Sequence, residues 1–172
     1  MIVGIIGAGT MGSGIAQAFA QVDGYEVRLC DINEEFAANG KLRITKTLEK
    51  RVAKGKMAKE DADRIIAKIK TGTKEICSDC DLIVEAAVEN VDIKRQTFRE
   101  LDKICKPECI FTTNTSSLSI TQIAAGLEHH VVGMHFFNPA PVMKLVEIIA
   151  GLNTPKEVAD RVVAIATEIG KT

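Results

Sequence analysis

Gly4-Ile5-Ile6-Gly7-Ala8-Gly9-Thr10-Met11-Gly12-Ser13-Gly14 is the stretch that decides the fold of this chain. It holds G-x-G-x-x-G at Gly7, Gly9 and Gly12, a pattern that is weak without its surroundings. Before it, residues 1–6 form a short apolar run, enough for a buried strand. After it, Met11, Ile15, Ala18, Phe19 and Val22 recur at helical spacing. Asp31 follows Gly12 by about 20 positions, as in strand–loop–helix units that bind dinucleotides. Gly7 permits a tight turn out of the strand, Gly9 admits a pyrophosphate close to the backbone, and Gly12 lets helix and strand pack. The helix N-terminus presents free N–H groups and a positive dipole end to the anion. A plain strand–turn–helix without a ligand is the alternative, and the context weighs against it.

Working outward, residues 25–30 form a second apolar strand with Asp31 at its carboxyl end. In a dinucleotide fold that carboxylate accepts hydrogen bonds from the adenosine ribose and repels a 2′-phosphate. Ile32 and Asn33 stand where an NADP enzyme more often carries Arg, so the expected cofactor is NAD.

Composition narrows the class. A chain of 172 residues with 46% apolar and 26% charged residues suits one globular domain. A net charge of -1 gives no reason to expect nucleic acid or a membrane surface as partner. The apolar runs are too short to span a bilayer. Met1 opens directly on a strand, without the pattern of a secretory signal, so a cytoplasmic protein is expected. Five cysteines are an odd number for a disulfide framework. Cys77-Ser78-Asp79-Cys80 is a C-x-x-C, but no second pair or nearby His completes a zinc set. Reduced thiols and no metal are expected.

Strands alternate with helices, which predicts an α/β fold with a mostly parallel sheet. Residues 33–70 read as two helices broken near Gly55, longer than a simple crossover and expected to project from the domain. Residues 41–70 hold eleven of the chain's 22 Lys and Arg. That charge is either a solvated face or a landing surface for a polyanionic substrate. Residues 81–87 form a buried strand that runs into Val88-Glu89-Asn90 at the ligand-binding edge. Lys94 falls in the first turn of the next helix, where the dipole disfavours it, which suggests a ligand contact. Residues 109–113 are a strand leading into Asn114-Thr115-Ser116-Ser117. One helix cap accounts for one or two residues of this polar cluster, and the rest read as ligand-facing.

Residues 131–136 form a strand containing His135, followed by Phe137-Asn138-Pro139-Ala140-Pro141. Residues 144–150 are a very apolar strand interrupted by Glu147, a carboxylate costly to bury unpaired. If these strands pair antiparallel, His135 and Glu147 fall nearly opposite and within hydrogen-bond reach. The alternative is an independent core His and an edge-exposed Glu. His129 and His130 read as loop residues, and a last helix is expected over 154–169 with Pro155 in its first turn.

The stretches GAGTMGSGIAQAFA (7–20), DCDLIVEAAVEN (79–90), NTSSLSIT (114–121) and GMHFFNPAPVMKLVEII (133–149) together resemble the N-terminal domain of short-chain 3-hydroxyacyl-CoA dehydrogenases, of the bacterial 3-hydroxybutyryl-CoA type. The resemblance covers the whole chain. It implies a Rossmann-type, doubly wound NAD-binding domain with a helical hairpin insertion and an antiparallel C-terminal strand. It implies reversible oxidation of a 3-hydroxyacyl-CoA to a 3-oxoacyl-CoA in fatty-acid or butyrate metabolism. The family's catalytic His–Glu pair matches His135 and Glu147, and its active-site serine matches Ser116, which also meets substrate. Its NAD contacts match Gly7, Ala8, Gly9, Thr10, Met11, Gly12, Asp31, Glu89, Lys94, Asn114 and Asn138. Its CoA contacts on the hairpin match Thr47 and Lys54 less securely. In the family a second, helical domain completes the site and forms most of a homodimer interface. The chain therefore looks like an excised or truncated NAD-binding domain. An NAD-binding module without catalysis, or a dehydrogenase of a free hydroxy acid, are the other readings.

Overall fold

The computed structural model describes residues 1–115 and 118–172. In chain order its elements are β1 (Ile2–Ile6), α1 (Thr10–Ala20), β2 (Glu26–Cys30), α2 (Glu34–Ala53), α3 (Lys59–Ala67), β3 (Ile69–Gly72), β4 (Leu82–Glu85), α4 (Val91–Ile104), β5 (Ile110–Thr113), α5 (Ile120–Ala124), β6 (Val131–Phe136), β7 (Val146–Ile149) and α6 (Lys156–Glu168). A 3₁₀ turn at Lys74–Cys77 precedes β4. The strands form one seven-stranded sheet in the order β3-β2-β1-β4-β5-β6-β7. All neighbours are parallel except β6 and β7. The order reverses between β1 and β4, the place where doubly wound sheets open a crevice at their carboxyl ends.

Alternation along β1 splits the core between the two faces of the sheet. Val3 and Ile5 pack with Phe19, Ile44, Leu48, Ile65 and Val162, under α1, α2, α3 and α6. Ile6 packs on the other face with Ile83, Phe98 and Phe111, under α4 and α5. All five cysteines are buried in that second cluster. The Cys30 and Cys77 sulfurs lie 3.6 Å apart. Its hydrogen bond with the Cys77 thiol, together with burial, pushes Cys80 well above the usual thiol range, which disfavours the thiolate.

The α2–α3 hairpin is the crossover from β2 to β3 and is anchored along its length. Ala37, Gly40, Ile44 and Leu48 of α2 and Ala62 and Ile65 of α3 are buried, while residues 53–56 at the tip are exposed. Ile69 is not the end of the second helix, as its spacing from Ile65 and Ile66 suggests. It begins β3, paired with Val27. The helix ends at Lys68, whose ammonium caps the end of α1 by donating to the Ala20 and Val22 carbonyls. The open edge of β2 then recruits residues 69–72, a tertiary pairing that local periodicity does not report. Pro155 is the N-cap of α6 rather than part of its first turn.

Candidate cofactor and catalytic site

The carboxyl ends of the parallel strands bring the cofactor candidates to one edge. Gly7 follows β1, Asp31 follows β2, Glu89 follows β4, Asn114 follows β5 and Asn138 follows β6. A largely apolar cleft of about 530 Å³, lined by Ile6, Gly7, Gly9, Asp31, Ile32 and Val88 among others, opens at the switch point. Its size is that of a small-molecule site.

The three motif glycines differ in what they do. Gly7 has φ +105, and a Cβ there would sit 2.8 Å from the Ala86 carbonyl oxygen. A Cβ on Gly12 would overlap the Gly7 carbonyl oxygen at 1.6 Å, so the first turn of α1 lies directly on the loop. Gly9 is the N-cap of α1, with φ -77 and no capping side chain. A Cβ on Gly9 would meet nothing within 4 Å. Packing therefore requires glycine at 7 and 12 but not at 9, where a bare backbone faces open space beside a helix N-terminus. That is the cradle a pyrophosphate needs.

Asp31 is both a wall of the cleft and a brace for it. Its Oδ2 accepts the Ala8 N–H at 2.7 Å and its Oδ1 accepts the Ile32 N–H at 2.7 Å. The glycine loop is thus tied to the end of β2. A dinucleotide fits this set: an open glycine, a helix N-terminus and a strand-end carboxylate.

On the other side of β1, Lys94 is 2% exposed and hydrogen-bonds both oxygens of the fully buried Glu85, at 2.7 and 2.9 Å. Sequence reasoning missed Glu85. The signal was available, since a carboxylate ending a buried strand needs a partner. Lys94, expected to face a ligand, instead has its ammonium inside the protein. Glu89 accepts the Thr115 hydroxyl at 2.6 Å, and its carboxylate is 3.8 Å from the Lys94 ammonium.

Asn114 uses its Oδ1 to accept the Phe136 N–H at 2.7 Å, locking the end of β5 to β6 beside His135. Asn138 lines a groove of about 190 Å³ with Thr10, Gln17, Arg43, Thr47 and Pro141. The turn that carries Asn138 is held from behind by the buried Lys171, which donates to the Ala140 and Met143 carbonyls at 2.6 and 2.8 Å. Thr47 reaches this groove. Lys54 does not: it caps α2 at the exposed tip, seven residues and about 10 Å farther along the helix. Arg43, unremarked in the sequence, donates to the Thr10 hydroxyl at 3.1 Å, at the head of α1.

β6 and β7 pair antiparallel with His135 directly opposite Glu147. The imidazole Nδ1 and Glu147 Oε1 are 3.1 Å apart. The His135 side chain is 17% exposed and that of Glu147 52%, so the pair sits at the surface rather than in the core. With Nδ1 engaged, Nε2 has no hydrogen-bond partner among the described residues. His129 lies, as expected, in the loop before β6, and there it is buried, stacked on Phe111 and bonded to Asp102 and the Lys106 carbonyl, a structural histidine. Ser116 lies outside the described residues.

Comparison with known proteins agrees with this fold. The family model described as "3-hydroxyacyl-CoA dehydrogenase, NAD binding domain" matches residues 2–172. The chain is 46% identical to a probable 3-hydroxybutyryl-CoA dehydrogenase of Bacillus subtilis, over 98% of this chain and 59% of that protein. It is 44% identical to a 3-hydroxybutyryl-CoA dehydrogenase of Clostridioides difficile, over 99% of this chain and 62% of that one. The crystal structure of a 3-hydroxybutyryl-CoA dehydrogenase from Escherichia coli K12 superimposes with a TM-score of 0.95 at 40% identity, covering 100% of this chain and 37% of that chain. The chain thus spans less than two thirds of the length of these relatives. No helix among the described residues is long and apolar enough to cross a membrane.

Proposed function

Since the chain belongs to the NAD-binding-domain family of the 3-hydroxyacyl-CoA dehydrogenases, we propose that it is the cofactor-binding part of an enzyme that interconverts a short-chain 3-hydroxyacyl-CoA and its 3-oxo form. The observation that carries the catalytic reading is His135 paired with Glu147 on adjacent strands, at the same sheet edge as the glycine loop. Bound NAD supplies the hydride acceptor in oxidation and, when reduced, the donor in the reverse direction. His135 takes the substrate hydroxyl proton at Nε2 in oxidation and returns it in reduction. Glu147 holds Nδ1, fixing the ring's orientation and favouring its protonated form. Ser116 hydrogen-bonds the reacting oxygen. Asp31 receives the adenosine ribose, and the backbone at Gly9 receives the pyrophosphate. Asn138 and Thr47 border the groove leading away from this loop, and an acyl-CoA's phosphates meet the cationic α2–α3 hairpin, with Lys54 at its tip.

Turnover belongs to a chain carrying the relatives' full length, and NAD binding belongs to this chain alone. Two assays separate the enzyme from the simple binding module: NADH fluorescence titration, and NADH oxidation driven by acetoacetyl-CoA. The expected outcome is binding by both chains and turnover by the longer one. A longer chain that binds NADH but oxidises it with free acetoacetate as readily as with the thioester refutes the acyl-CoA assignment. We further infer a cytoplasmic setting, from the reduced, buried thiols and NAD chemistry.

A further inference from the structure

A buried ion pair is a weak reason for stability, because well-packed apolar residues of the same volume serve as well or better. The Glu85–Lys94 pair is the most deeply buried ion pair described here, with side chains 0% and 2% exposed. Lys94 also occupies the dipole-disfavoured first turn of α4, one residue after Ile93 and four after the Asn90 cap. Packing therefore does not account for it, whereas its connections do. Glu85 Oε1 accepts from both Lys94 and Thr113 (2.7 Å each), and Oε2 accepts from Lys94 and from the N–H of Ala87, a residue of the cleft wall. The ammonium, held by two bonds to Glu85, lies 3.8 Å from Glu89, whose carboxylate is in turn bonded to Thr115. The result is an ordered series, Glu85–Lys94–Glu89, running from the sheet interior to the half-exposed carboxylate at the site's edge.

Its location identifies the part of the cofactor concerned. Strand order puts Asp31 just past β2, on one side of β1, and Glu85 and Thr113 at the ends of β4 and β5, on the other side. Asp31 serves the adenosine half, whereas Glu89 is bonded to Thr115, just past β5 on the side of β6 and His135, so the outer end of the series serves the nicotinamide half. We propose that Glu85 is a positioning residue of the cofactor site: through Lys94 it holds Glu89 where that carboxylate accepts hydrogen bonds from the nicotinamide-side ribose hydroxyls. Without Glu85 the ammonium turns toward Glu89 itself and withdraws the acceptor. This inference rests on the NAD reading above.

The test uses this chain and needs no turnover. NADH and ADP affinities are measured for wild type, Glu85→Gln, Lys94→Met and the double variant, with thermal melts to show folding. ADP carries the adenosine half alone, so a general structural defect weakens both ligands, whereas mispositioned Glu89 weakens only NADH. Glu85→Gln is expected to weaken NADH about tenfold and leave ADP within twofold. In the Lys94→Met background the same change is expected to have no further effect, because the two residues act as a unit. Thr113→Val, which removes a donor to Glu85 without stranding a charge, is expected to weaken NADH about threefold and keeps the test alive if Glu85→Gln does not fold. Equal loss of NADH and ADP, unchanged NADH affinity in a folded variant, or an undiminished Glu85→Gln effect in the Lys94→Met background each overturns the inference. A wild-type chain that binds neither ligand refutes the cofactor reading itself.

Discussion

Gly9→Ala separates the cofactor loop from the fold more cleanly than any other substitution. Gly9 has φ -77 and extended ψ, which alanine adopts without strain. The added Cβ meets no protein atom within 4 Å. Restricting the unfolded chain contributes about 0.4–1 kcal/mol in favour of alanine. Position 9 is also the N-cap of α1, where alanine is poorer than glycine by a similar amount, on the order of 0.5–1 kcal/mol. These effects nearly cancel, so the melting temperature stays within about 4 °C of wild type. The cofactor sees a different surface. A methyl group stands in the space through which a phosphate approaches the loop's N–H groups. Losing one charge-assisted hydrogen bond costs about 1.5–3 kcal/mol, which is about 10- to 150-fold in affinity. The assay is an NADH fluorescence titration beside a thermal melt. NADH binding within twofold of wild type would refute the placement of the pyrophosphate at Gly9. A melting temperature lowered by 10 °C or more would refute the claim that packing does not need this glycine, a threshold set well beyond the expected shift.

Gly12→Ala should behave oppositely: a Cβ 1.6 Å from the Gly7 oxygen forces α1 off the loop, so stability and NADH binding fall together in melt and titration. Asp31→Asn should weaken NADH by about tenfold, one ribose hydrogen bond to a charged group, and narrow the preference over NADPH by removing the repelling charge; an unchanged NADH-to-NADPH ratio counts against the specificity assignment. In a chain of the relatives' length, His135→Gln should lower turnover by about 10²–10⁴-fold with NADH affinity largely intact, and a loss under tenfold removes it as the proton carrier. Acid stability should follow Asp81 and Asp102. Burial pushes each carboxyl up, but hydrogen bonds from Lys106 and the Ile2 N–H at Asp81, and from the Glu128 N–H and His129 at Asp102, outweigh it and hold both below the ordinary range. Carboxyls depressed in the folded state stabilise it above their unfolded pKa of about 3.9, and that contribution is lost as pH falls below it. Denaturant titrations between pH 5 and 2 should therefore show a steeper loss for wild type than for Asp81→Asn, and parallel curves would contradict this.

Local chemistry was enough for much of this protein. Glycine spacing, an apolar strand before it and a periodic helix after it specify the first unit, because these patterns act over neighbouring residues. The facing of His135 and Glu147 was also legible, since a carboxylate in a very apolar strand needs a partner and the side-chain period of two puts both on one face when the strands pair antiparallel. Other features depend on contacts between segments far apart in the chain. Ile69 has helical spacing from Ile65, yet it became a strand because β2 offered an open edge. His129 is the loop residue it looked like, but its burial was not legible, because Asp102 and Phe111 come together around it. Lys94 looked like a ligand contact, and its position is set by Glu85, nine residues earlier and across the strand–helix turn. The glycine loop could be identified from its residues. The roles of its glycines could not, because whether a Cβ meets backbone at Gly12 or empty space at Gly9 depends on how closely α1, β1 and the end of β4 approach one another.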